Sequence, residues 1–201
     1  MTAIKICGIT RGEDAEAAAA LGADALGFVL WPASPRHTTI EAVAPIVRDL
    51  PPFLTPVGVF VNPSADDIAR AAGAGLRLAQ VHGVMPAGPL ALPVLRAVHV
   101  SATLPGGIEP AVDDGTVLLD ANDPVRHGGT GQTVDWTRAR AIAARRRIVL
   151  AGGLTAQNVG DAIRTATPYA VDVASGVESE PGIKDLQKLR AFIDAVRGTG
   201  T

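Results

Sequence analysis

A single (β/α)8 barrel, an α/β fold of the TIM-barrel kind, is predicted from three observations. Short β-branched apolar runs occur eight times along the chain, and six of the stretches between and after them are Ala-rich and amphipathic. Most of these runs are near-continuously apolar instead of alternating, as expected of parallel strands buried on both faces. Their starts lie about 24 residues apart, close to the minimum for a βα unit, and 201 residues sit near the floor of roughly 200 for this fold. An open flavodoxin-like or Rossmann sheet is the alternative, but it usually needs only five or six strands.

Taken in order, the first strand is read over Ala3–Gly8 and its helix over Gly12–Leu21. A second strand over Asp24–Leu30 precedes a helix over Ile40–Asp49. The third, Thr55–Val61, leads to a helix over Ser64–Ala72 that opens on a Ser cap. Strands four and five, Leu76–His82 and Val94–Ser101, are followed by Pro- and Gly-rich segments, Pro86–Leu92 and Pro105–Asp113, where helices are short or absent. Strand six is read over Thr116–Asp120 with a helix over Asp135–Ala144, and strand seven over Arg147–Ala151. The next helix covers Ala156–Thr165, with Thr155 as its cap ahead of a turn reaching Asn158. Strand eight, Ala170–Val173, and a helix over Ile183–Val196 complete the set.

Composition narrows the function classes. At 47% apolar and 19% charged residues, with a mean hydropathy of +0.25, the chain is neither disordered nor a charged tail. Its length suits one domain over residues 1–201 with a sizeable core. Eighteen basic against twenty acidic residues leave a net charge of -2, so no basic footprint invites nucleic acid. One cysteine excludes an internal disulfide framework and fits a reducing compartment. The residues Met1–Lys5 lack a signal-peptide pattern, and no uncharged apolar stretch is long enough to span a membrane. A soluble cytoplasmic domain is the expectation, and the sequence leaves monomer or homodimer open.

In such a barrel, chemistry sits where strands run out into βα loops. The polar residues gather there: Cys7-Gly8 after strand one, Pro35-Arg36-His37 after two, His82-Gly83 after four, Asp120 at the end of six, Gly152-Gly153 after seven and Ser175-Gly176 after eight. That asymmetry favours an enzyme over a scaffold. Glycines let backbone N–H groups approach an anion. One such pair is most simply a tight turn, but Gly152-Gly153 and Ser175-Gly176 follow adjacent strands, which favours a phosphate site. Gly128–Thr133 is no P-loop, since no Lys precedes the Thr, and no dinucleotide fingerprint follows strand one. The four histidines show no metal-ligand spacing, so no metal is expected.

Cys7 by itself reads as a small core residue. Its place beside Gly8 at a strand end turns it toward the pocket, where nearby cations would lower a thiol of pKa about 8.5 enough for it to act as a base. Asp120 could cap a helix, but it closes the apolar run Val117–Leu119, and burial there would raise its carboxyl into the range of a general acid. Arg36 lies in a loop stiffened by Pro32 and Pro35, as suits a guanidinium aimed at a substrate carboxylate.

With these residues, from Lys5 to Asp185, the chain resembles the phosphoribosylanthranilate isomerase family of tryptophan biosynthesis. The resemblance is carried by Lys5–Thr10, Gly22–Phe28, Ser34-Pro35-Arg36, Val57–Phe60, Gln80–Gly83, Leu119-Asp120, Gly128–Gly131 and Val134–Trp136. Leu150–Leu154 with Asn158-Val159, and Val171–Glu178 with Pro181–Asp185, complete it. Departures from the family pattern fall at Gln132, Val134 and Val84-Met85-Pro86. The resemblance implies a cofactor-free Amadori rearrangement of a phosphorylated aminoaldose, with Asp120 as general acid, Cys7 as general base and Arg36 on the anthranilate carboxylate. Gly152, Gly153, Ser175 and Gly176 would grip the phosphate, with His82, Gly129, Thr130 and Gly131 as further pocket candidates and Asp172 in a supporting place. Two alternatives stand beside it: the related aminoaldose isomerase of histidine biosynthesis (or an enzyme serving both pathways), whose pattern has aspartate where this chain has Cys7, and a non-catalytic phosphate-binding barrel.

Overall fold

The structure, a computed structural model, describes residues 1–99, 115–120 and 135–200. Eight strands, β1 (Ala3–Cys7), β2 (Ala25–Val29), β3 (Thr55–Val61), β4 (Leu78–His82), β5 (Val94–His99), β6 (Val117–Asp120), β7 (Ile148–Leu150) and β8 (Ala170–Val173), pair in parallel and in sequence order. β1 closes the barrel on β8, with Lys5 opposite Asp172. The fold is therefore the predicted (β/α)8 barrel.

Alternation along each strand divides the core in two. Ile4, Ile6, Leu26 and Phe28 point outward, into the same cluster as Leu189 and Phe192 of the last helix. Leu95, Ala97, Leu118, Val149, Ala151 and Ala170 point inward and fill the barrel with aliphatics. β1 breaks this rule on its inner face, which carries Lys5 and Cys7, both buried.

Helices α1 (Gly12–Leu21) and α2 (Ile40–Asp49) fall on their predicted bounds. α3 (Ala65–Gly73) starts on a capping box in which Ser64 accepts from the Asp67 N–H and Asp67 accepts from the Ser64 N–H. α4 spans Trp136–Ala143, capped by Asp135. No helix lies between β4 and β5, where the sequence is rich in Pro and Gly; Pro105–Asp113 lies outside the described residues. None of the helices among the described residues is long and apolar enough to cross a membrane.

Two expectations are corrected. α5 runs over Val159–Ala166, and its N-cap is Asn158, not Thr155. Asn158 instead braces the loop before it, its Oδ1 accepting from the Thr155 N–H at 2.8 Å and its Nδ2 donating to Gly153 O at 2.9 Å. The last helix, α6, spans Leu186–Arg197 and does not begin at Ile183. After β8 the chain makes a single 3-10 turn, Ser175–Val177, and then an antiparallel hairpin of β9 (Glu178–Glu180) and β10 (Ile183–Lys184). The bend at Pro181-Gly182, with Gly182 at φ +84°, folds Ile183-Lys184 back against Glu178–Glu180, so these two residues pair as a strand and the helix starts only after its Asp185 cap.

Candidate active site

The C-terminal ends of the strands surround one hollow. Cys7 from β1, His82 from β4, Asp120 from β6, Gly152-Gly153 after β7 and Ser175 after β8 all line it, as does Arg36. The structure thus brings together, from six different strand ends, most of the residues predicted for the site. Gly176 is not part of the lining: a Cβ there would lie 2.0 Å from Leu154 O, so it is the contact point of the two loops that follow β7 and β8. Gly152 and Gly153 both have positive φ, +88° and +62°, which turns the backbone back across the mouth. Gly129, Thr130 and Gly131, with Gln132 and Val134, lie outside the described residues. His37 is exposed. Among the described residues, no three His, Cys, Asp or Glu side chains cluster as metal ligands would.

Arg36 is aimed by a partner that the sequence reading gave no role. Its guanidinium forms a two-pronged ion pair with Glu178, with Nε 2.9 Å from Oε1 and Nη2 2.7 Å from Oε2. Glu178 is held in turn by Lys184, whose Nζ donates to Oε1 at 2.8 Å and to Cys7 O at 2.6 Å. The Gly182 N–H adds a third contact to Oε1 at 3.2 Å. Burial alone would push the Glu178 carboxyl up, but its bonds to Arg36 and the charge of Lys184 hold it below the usual glutamate range. The hairpin therefore does the aiming that the sequence assigned to the prolines of the Arg36 loop. Gly8 makes room: a Cβ on it would lie 2.6 Å from Arg36 Cδ.

The thiol of Cys7 departs from expectation. Burial pushes it above its ordinary range, with Lys5 and Lys184 pulling down and Asp172 pushing up. Cations alone do not decide the direction, because Cys7 is only 8% exposed. Asp120 is less enclosed and keeps an intermediate exposure. His82 and Gln80 face each other, with Gln80 Nε2 2.9 Å from His82 Nε2. Gln80 Oε1, buried on the same wall, has no partner among the described residues.

Comparison with known proteins decides the family. Residues 4–195 match the family model described as N-(5'-phosphoribosyl)anthranilate (PRA) isomerase. This chain belongs to that family. The N-(5'-phosphoribosyl)anthranilate isomerases are isomerases of tryptophan biosynthesis, and the (β/α)8 barrel is shared with the solved relatives. The N-(5'-phosphoribosyl)anthranilate isomerase of Geobacter sp. (strain M21) is 48% identical over 197 residues, covering 96% of this chain and 97% of that protein. The crystal structure of phosphoribosyl anthranilate isomerase from Thermotoga maritima superposes with a TM-score of 0.83 at 36% identity, over 98% of this chain and all of that one. A phosphoribosyl anthranilate isomerase solved with reduced 1-(o-carboxyphenylamino)-1-deoxyribulose 5-phosphate superposes at 0.80 with 35% identity, again over 98% of this chain and all of that one.

Proposed function

We propose that the protein converts N-(5-phospho-β-D-ribosyl)anthranilate to 1-(2-carboxyphenylamino)-1-deoxy-D-ribulose 5-phosphate, with Asp120 as general acid and Cys7 as general base. Asp120, protonated, gives its proton to the ribose ring oxygen. The bond from that oxygen to C1 breaks, and the nitrogen lone pair closes a C=N double bond at C1. Cys7, as thiolate, takes the proton from C2; the electron pair left behind moves between C2 and C1 while the C=N π pair returns to nitrogen, giving an enolamine. That species tautomerises, losing the O2 proton and gaining one at C1, so the ketone forms with no net change in atoms or electrons.

Arg36 presents a planar cation to the anthranilate carboxylate, and two of its N–H groups are already committed to Glu178. Gly152, Gly153 and Ser175 form the phosphate end, with Gly176 seating the loop after β8 against Leu154 O, and backbone N–H groups and the nearby α5 N-terminus favour an anion there. His82 lines the same hollow, and Gly129, Thr130 and Gly131 are further pocket candidates on the family resemblance alone. One relative was solved in complex with the reduced form of this proposed product. The observation that carries the reading is that Cys7 and Asp120, from β1 and β6, line one hollow together with Arg36.

The test follows anthranilate fluorescence as substrate generated in situ is consumed. Cys7→Ser and Asp120→Asn are each expected to cut kcat by orders of magnitude while circular dichroism stays native. Near wild-type turnover in either variant removes that residue from its assigned role. Assay of both the tryptophan- and histidine-pathway aminoaldoses separates the single activity from a double one.

A further inference from the structure

The reaction above leaves Lys5 without a task, yet this lysine sits inside the barrel with 4% of its surface exposed. Its Nζ is 2.8 Å from Asp172 Oδ1, the residue opposite it in the β1–β8 register. Burying such a pair costs several kcal/mol per ion in lost hydration, and well-packed aliphatics of similar volume usually serve stability as well or better. Most of the barrel interior does use aliphatics. A charge pair at this one place calls for another reason.

Geometry supplies it. Lys5 and Cys7 are two residues apart on one strand and therefore share a face. Across from them stands Gly27 of β2, paired with Cys7 in the register. A Cβ on Gly27 would lie 2.8 Å from Cys7 Sγ and 2.9 Å from Lys5 Nζ, so thiol and ammonium converge on one spot that only glycine leaves open. Cys7 and Asp172 line the hollow and Lys5 does not, so Lys5 stands behind the thiol, away from substrate. We propose that Lys5 is the cation that favours the thiolate form of Cys7, with Asp172 setting how strongly it does so. Lys5 is thus a positioning residue for the general base, and the proposal rests on the reading of Cys7 as that base.

The other charged and titratable groups around Cys7 serve different partners. Lys184 of β10 directs its Nζ to the Cys7 carbonyl and to Glu178 of β9. Arg36, lying over Gly8, is bound to the same Glu178. Asp120 and His82 line other walls of the hollow. Lys5 is the largest of the charge effects that lower the thiol and Asp172 the largest that raises it, against the upward push of burial. The two residues should therefore move the thiol in opposite directions when neutralised.

Cys7 is the only cysteine in the chain, so its titration can be read directly. Thiolate ultraviolet absorbance and the rate of iodoacetamide alkylation are followed against pH in wild type, Lys5→Met, Asp172→Asn and the double variant. Lys5→Met is expected to raise the midpoint by about one pH unit, roughly tenfold in thiolate at a given pH. Asp172→Asn is expected to lower it. The double variant removes both charges together and so keeps a readable fold if Lys5→Met alone unfolds; its midpoint is expected above wild type. A merely structural pair would leave the midpoint unmoved or shift both single variants the same way, and either result overturns the proposal. The acidic limb of kcat/KM should follow the midpoint. If the midpoint moves as stated and that limb does not, Lys5 keeps its role while Cys7 loses its place as base.

Discussion

The Arg36 guanidinium and the Glu178 carboxylate, 142 residues apart in sequence, meet edge to edge with Nη2 2.7 Å from Oε2. Arg36 is thereby fixed before any ligand arrives, with the side-chain entropy of ordering it already spent within the fold. The pairing also ties the hairpin β9–β10 to a side chain that lines the hollow.

Replacing Glu178 by Gln keeps the shape and removes the charge, leaving Arg36 and Lys184 less firmly held. Charge-assisted hydrogen bonds of this kind contribute about 1.5–3 kcal/mol each. The expected result is a KM raised about tenfold or more with a smaller fall in kcat, and a lowered Tm. Arg36→Ala should likewise act chiefly on KM. An unchanged KM in Glu178→Gln would show that Arg36 needs no brace.

Acid should weaken the fold through the same carboxylate. Because the folded-state Glu178 carboxyl lies below its unfolded value of 4.5, its contribution is present above that pH and is lost as pH falls through the depressed folded value. Urea midpoints measured from neutral pH downward should drop more steeply in wild type than in Glu178→Gln, the two curves converging at acid pH. Parallel curves would contradict this.

At Gly8, φ is +76° and the added methyl of Gly8→Ala would meet Arg36 Cδ. Backbone strain in that region costs roughly 1–2 kcal/mol for a residue with a Cβ. A KM increase comparable to that of Arg36→Ala is expected, and the double variant Gly8→Ala/Arg36→Ala should be no worse in KM than Arg36→Ala alone. Additive losses would mean that Gly8 acts on something other than the guanidinium.

Gly176→Ala tests the phosphate end, since its methyl would drive the loop after β8 away from Leu154 O. Competitive inhibition by inorganic phosphate should weaken along with substrate binding. Phosphate inhibition at wild-type strength would place the anion elsewhere.

Ser64→Ala is the control for stability without function. Loss of the capping box costs about 1 kcal/mol, or a Tm lower by roughly 2–4 °C in a protein of this size. Steady-state constants at 25 °C should not change; a changed KM would link α3 to the mouth.

The barrel was legible because its strands announce themselves locally. The apolar runs Thr55–Val61 and Ala170–Val173 match β3 and β8 to the residue, and the Ser64 cap marks the start of α3. Polar residues at strand ends were equally readable, since the fold class alone says which end carries chemistry. What escaped reading depends on distance along the chain. Glu178 and Lys184 acquire their roles only when the hairpin folds back over β1 and the Arg36 loop, although Pro181-Gly182 is a turn signal that could have exposed the hairpin. Lys5 was hidden for another reason: a lysine in a strand reads as solvent-facing, and only the closure of β1 on β8 puts Asp172 beside it. The direction of the Cys7 thiol was missed because cations can be counted in a sequence and enclosure cannot.

Lys184 grips the end of the first strand, Glu178 grips an arginine delivered by the second, and both belong to a stretch that follows the eighth strand. A nascent chain that has emitted seven strands already carries the thiol, the acid and the guanidinium, but the clasp that locks them into a working arrangement is still to come. The clasp therefore forms only once the chain beyond the eighth strand has been made and the cylinder can close.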